Sequence, residues 1–152
     1  MSDAKHMPPS AGSRYELLGG DQVTIKATAA DTGGQCTVIE TLTPAGQGPP
    51  HHVHLREDEI FYVLEGEFEF QVGPQTIRAA AGSFLFAPRG VPHRFVNVGG
   101  APGRLLIIVT PGGFEKFIAA FAELPPREAP DMARMAAIGA AHGLEFLPPQ
   151  SA

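Results

Sequence analysis

The chain has 152 residues, 43 % hydrophobic and 18 % charged, with a formal net charge of -5. That balance is one of a globular domain able to bury a core, not of a disordered segment. Its 11 scattered Lys and Arg residues form no patch that would neutralise phosphates, and its apolar stretches, such as Leu105 to Val109, are far too short to cross a bilayer, so neither a nucleic acid nor a membrane is expected as partner.

Residues 1–13 are polar, contain Pro8 and Pro9 and carry no apolar period, which reads as a flexible leader. From there glycine and proline, 18 and 15 of them, separate short apolar runs. Val23, Ile25 and Ala27 alternate with Thr24, Lys26 and Thr28, the period of a half-buried strand. Gly33-Gly34 marks a turn before Thr37 to Thr43, rich in β-branched residues. A Gly/Pro loop from Pro44 to Pro50 delivers the chain into His52. Ile60 to Leu64, a turn at Glu65-Gly66, and a return on which Phe68, Phe70 and Val72 alternate with Glu67, Glu69 and Gln71 together predict a hairpin. After the turn at Gly73-Pro74, strands are expected at Thr76 to Ala79, Phe84 to Phe86, Val91 to Val98 and Leu105 to Thr110. Residues 14–111 therefore predict an all-β sandwich or barrel.

The period changes after Pro111. Phe114, Phe117, Ile118 and Phe121 mark one face of a helix, whose expected role is core packing. A second helix is expected to begin at Asp131, which follows Pro130, and to stop at His142-Gly143. Residues 112–152 are thus a short helical appendage packed on the barrel.

Three of the six histidines lie in His51-His52-Val53-His54, with Glu57, Asp58 and Glu59 close behind. Imidazole and carboxylate together suit one divalent transition metal ion: Fe, Mn, Ni, Co, Cu or Zn. On a strand, residues i and i+2 share a face, so His52 and His54 converge while His51 and Val53 face away. Glu59 is an odd number of residues from His54, so Leu55 to Asp58 must bend to turn its carboxylate back. Glu57 and Asp58 are expected as solvated charges on that bend. A further ligand has to come from a distant strand, and His93, just after a Pro-Arg-Gly turn, is the candidate. His6 lies in the leader, and His142 suits a helix C-terminus. By parity Phe61 and Val63 face inward with Glu59, and Val91 and Phe95 with His93; these positions would wall a substrate pocket or serve as ordinary barrel core.

Two stretches resemble a known family. Gly46-x5-His52-x-His54-x4-Glu59-x6-Gly66 looks like the first conserved motif of the cupin superfamily, and Gly82-x5-Pro88-x-Gly90-x2-His93-x3-Asn97 like the second. The resemblance implies a double-stranded β-helix, with His52, His54, Glu59 and His93 as metal ligands. Asn97 is expected as a structural hydrogen-bonder. The wording of Gly48 to His54 and Arg56 to Glu67, and of Pro111 to Phe117, also resembles small cupins grouped with quercetin 2,3-dioxygenase. That implies a dioxygenase acting on a flavonol-like or other enol- or phenol-bearing small molecule, with Glu59 as catalytic base. Cupins carry many chemistries, so a metal-dependent isomerase or decarboxylase and a non-enzymatic binding protein stand as alternatives. Ile60, Tyr62 and Leu64 make the opposite face of their strand apolar too, and its cover has to be the second sheet, the helices or another subunit; a homodimer is expected. The lone Cys36 and the lack of an opening secretion signal point to the cytoplasm.

Overall fold

The computed structural model describes residues 3–148. Eleven strands form its body: β1 (Ser13–Glu16), β2 (Gln22–Ala27), β3 (Thr37–Thr43), β4 (His52–His54), β5 (Asp58–Glu65), β6 (Glu67–Val72), β7 (Gln75–Ala80), β8 (Phe84–Ala87), β9 (His93–Asn97), β10 (Gly103–Thr110) and β11 (Leu144–Phe146). Two helices, α1 (Phe114–Phe121) and α2 (Met132–Ala141), precede the last strand. Every strand pair is antiparallel. One sheet has six strands in the order β1-β2-β3-β10-β5-β8, the other five in the order β11-β4-β9-β6-β7. The two sheets enclose one core, which is the architecture of a double-stranded β-helix.

Alternation in the sequence becomes alternation in burial. Phe68, Phe70 and Val72 of β6 point inward between half-buried Glu67, Glu69 and Gln71. Phe61 and Phe95 meet them, with ring centroids of Phe61 5.1 Å from Phe70 and 5.9 Å from Phe95, in edge contacts that aromatic rings favour.

The expected hairpin around Gly66 does not form. β5 pairs with β10 and β8, whereas β6 pairs with β7 and β9. Gly66, at φ 91°, turns the chain from one sheet into the other, and a side chain there would press on the Gly103 backbone at 3.1 Å. Both strands need an inward apolar face, which a corner between facing sheets supplies as well as a hairpin does. The true hairpin is β6–β7, with Val72 opposite Gln75.

Both helices lie where the sequence places them. Asp131 caps α2 by accepting a hydrogen bond from the Arg134 N–H at 3.0 Å, and Gly143 follows it at φ 71°. The extension also contributes a strand, because β11 pairs with β4 and extends the five-stranded sheet. Among the described residues no helix is long and apolar enough to cross a membrane.

Candidate metal centre

β4 turns His52 and His54 inward from the five-stranded sheet, and β9 presents His93 directly opposite His52. Glu59 arrives from β5 of the facing sheet. The segment between β4 and β5 therefore bends as expected, and its effect is to change sheets: inward for one sheet is opposite to inward for the other, which resolves the odd spacing. All four residues are buried. One ligand atom from each lies within 4.8 Å of the others. Glu59 Oε2 is 2.7 Å from His93 Nε2 and 3.1 Å from His54 Nε2.

The other nitrogen of each ring is held from behind. His52 Nδ1 lies 2.7 Å from the Pro50 carbonyl, His93 Nδ1 3.2 Å from the Val91 carbonyl, and His54 Nδ1 3.4 Å from Glu57 Oε1. An acceptor behind each ring fixes the proton on Nδ1 and leaves the Nε2 lone pair facing the site. His54 Nε2 is buried without a hydrogen-bond partner despite its closeness to Glu59. Acceptors flank both sides of His54 and His93, so the space between Nε2 and the Glu59 carboxylate calls for positive charge. A proton answers that need for one pair, whereas a divalent cation answers it for all four donors together. The residues fit a metal ion.

A proton on His54 is the alternative to an ion in meeting that need. Burial, with His93 and His54 beside it, pulls His52 down to about 3, so it is neutral. Burial opposes charge on His54 as well, but the Glu59 carboxylate and then Glu57 outweigh it and hold His54 up at about 10. Glu59 is buried too, yet His54 and His93 keep its carboxyl well below the usual carboxylate range.

Glu57 corrects the sequence reading, which makes it a solvated charge. It is 8 % exposed and is drawn in by His54 Nδ1. The available signal was its position three residues beyond His54, across a turn. Asp58 stays at the surface, 3.1 Å from the Arg89 guanidinium, whose hydrogen bonds lower its pKa. His51 takes no part in the four-residue group; it is buried with neither ring nitrogen hydrogen-bonded. Asn97 is fully buried and structural: its amide donates to the Thr43 and Ala101 carbonyls, and its Oδ1 accepts from the Gly99 N–H.

His52 and Glu59 lie on the wall of a cavity with about 70 Å³ in which the centre of a water molecule can sit. Phe61 and Phe95 line it; Val63 and Val91 do not. Val63 is buried elsewhere in the core, and Val91 is partly buried against it. Much of the remaining wall comes from the extension: Phe114, Phe117, Ile118 and Phe121 of α1, with Leu144 and Phe146 of β11. The aromatic stripe of α1 is buried, as core packing requires, and it also walls the cavity.

A barrel of two facing sheets with three inward histidines and one glutamate defines a double-stranded β-helix with a candidate metal site. The Cupin domain family matches residues 38–109, a span that holds all four residues. Quercetin 2,3-dioxygenase of Bacillus subtilis (strain 168) is 32 % identical over 108 residues, 70 % of this chain and 32 % of that protein. Polyketide synthase CurC of Streptomyces cyaneus is 30 % identical over 112 residues, 72 % of this chain and 68 % of the relative. The structure of KdgF from Halomonas sp. superposes with a TM-score of 0.67 at 19 % identity, covering 75 % of this chain and 99 % of that one, a likeness of fold. The chain belongs to the cupin superfamily, and it spans about a third of the length of the dioxygenase it matches.

Proposed function

We propose that this cupin is a metal-dependent dioxygenase acting on a small phenol or enol. The observation that carries the reading is that the four-residue group opens, through His52 and Glu59, onto a cavity walled by aromatic side chains. A one- or two-ring substrate suits the space. If a water centre needs roughly 10–15 Å³ and brings a volume of about 30 Å³ with it, the cavity accepts a molecule on the order of 150–200 Å³. The likeness to a quercetin 2,3-dioxygenase supports oxygen chemistry on a phenol or enol.

His52, His54, Glu59 and His93 would hold the ion. When bound, a divalent cation supplies Lewis acidity toward an oxygen atom and so acidifies a hydroxyl. Glu59 accepts the hydroxyl proton on its carboxylate. A carboxylate held below its usual pKa is a weak base, so it suits only a hydroxyl acidified in this way. Phe61, Phe95 and Phe114 exclude water and press on the flat faces of the substrate.

The test is protein loaded separately with Fe, Mn, Co, Ni, Cu and Zn and assayed for O2 uptake on phenols, β-diketones and flavonols. Uptake with at least one redox-active metal, lost in Glu59→Gln, is expected. Stoichiometric metal without O2 uptake on any substrate would refute the oxygenase. A second reading is a metal-dependent isomerisation or decarboxylation that needs no O2; turnover under anaerobic conditions would establish it. A purely metal- or ligand-binding protein would turn over nothing in either assay.

A homodimer belongs to the same proposal. Tyr62 and Leu64 on β5, and Phe84 and Phe86 on the neighbouring edge strand β8, are 42–64 % exposed. Neither the second sheet nor the helices cover this face. An apolar edge strand invites pairing with its own copy.

A further inference from the structure

The cavity has a second polar end that the proposed reaction leaves unused. β3 turns Thr37, Ile39, Thr41 and Thr43 toward the interior. Thr41 is 2 % exposed and lines the cavity, and its hydroxyl has no hydrogen-bond partner among the described residues. Buried hydroxyls are rarely left unpaired, so this one marks a place for a polar atom that the protein does not provide. Asp21 lines the same cavity and is 7 % exposed. The Thr43 hydroxyl donates to its Oδ1 at 2.6 Å, which fixes the carboxyl and leaves Oδ2 available.

The sheet register gives the separation of the two ends. Glu59 is opposite Val109, and Val109 opposite Thr37, whereas Thr41 is opposite Leu105. Thr41 thus stands four residues along the strands and two strands across from Glu59. With about 3.3 Å per residue and about 4.8 Å between strands, their backbones are roughly 16 Å apart, and both side chains reach into the space between. Among the described residues no Lys or Arg lines the cavity. The group received at the far end is therefore not an anion, and a hydroxyl matches best, since it donates to the Asp21 carboxyl while accepting from Thr41.

We propose that Asp21 and Thr41 form a second polar subsite that binds a hydroxyl on the end of the ligand remote from His52 and Glu59. The ligand class is then an apolar ring system with oxygen at both ends. The assignment rests on the cavity being the substrate site, and it names what that site selects.

The test compares 2-naphthol with 2,6-dihydroxynaphthalene on the full chain loaded with Zn2+, a redox-inert ion, so that binding is read without turnover. The chain has no Trp, so naphthol fluorescence reports binding directly. The wild type is expected to bind the diol about tenfold more tightly than the mono-ol. Thr41→Val should keep the affinity for 2-naphthol, which also shows that it folds, and lose the preference; Thr41→Ser should keep both. Equal affinities in the wild type, a preference unchanged in Thr41→Val, or binding of neither naphthol would overturn the subsite. None of these bears on O2 uptake, so the oxygenase reading stands or falls separately.

Discussion

Replacing Asp21 by asparagine should remove the pH dependence that this one buried acid imposes on stability. Its carboxyl is held between β2 and the Thr43 hydroxyl, and burial pushes it from 3.8 up to about 7, with the hydrogen bond only partly opposing. A raised pKa means that the folded state binds the proton more tightly than the unfolded chain. The stabilisation is fully present below about pH 4, fades as pH rises toward 7, and stays absent above it, where both states are ionised. Three units at 1.36 kcal/mol each give a ceiling of about 4 kcal/mol, which water reaching the carboxylate through the cavity lowers. That is a large part of the roughly 5–15 kcal/mol that holds a typical domain together. The side-chain amide of Asp21→Asn would still accept from Thr43 but does not titrate. Urea unfolding of both proteins from pH 4 to pH 8 is the assay, with the variant gaining on the wild type by up to that amount as pH rises. Parallel profiles, with a constant difference across the window, would refute the burial argument.

Glu57→Gln keeps the shape behind His54 but removes the charge, and should weaken divalent-metal affinity by about 10–100-fold without unfolding the protein; competition with a chelator measures it, and an unchanged affinity contradicts the supporting role. Phe146→Ala removes a ring stacked on Phe121 at 5.6 Å. It should cost about 2 kcal/mol, less than the roughly 3–5 of a fully buried Phe, since Phe146 is only half-buried, and should raise affinity for a three-ring flavonol relative to catechol. Titration of both ligands checks this, and parallel changes would show that Phe146 does not set the size limit. Phe84→Glu places a charge on the exposed edge strand and should convert a dimer to a monomer in light scattering; a wild type that is monomeric at high concentration removes the basis for that interface.

The sequence makes most of the barrel legible because each strand is half-buried and so alternates. The run from Glu67 to Val72, with Phe68 and Phe70 between glutamates, cannot be read any other way. Alternation reports which face is inward but not which sheet a strand joins, and so the chain looks like a hairpin at Gly66 where it actually turns a corner. The site shows the same division. His52 and His54 follow from spacing alone, but Glu59 needs the change of sheet, and Glu57 becomes part of the site only when the turn folds its carboxylate under His54. β1 and β11, four and three residues long, are too short to show a period.

The missed strand β11 bears most directly on function. β4 has three residues and pairs with β9 at a single position, His52 opposite His93. On its other edge it pairs with β11 throughout, Leu144 with His54, Glu145 with Val53 and Phe146 with His52. The strand that carries His52 and His54 thus takes most of its backbone support from β11, and the same segment supplies Leu144 and Phe146 to the cavity wall. Holding His52 and His54 in place and closing the aromatic pocket are two results of one act of folding. The extension after Pro111 is therefore part of the candidate site, and its strand, more than its helices, makes it so.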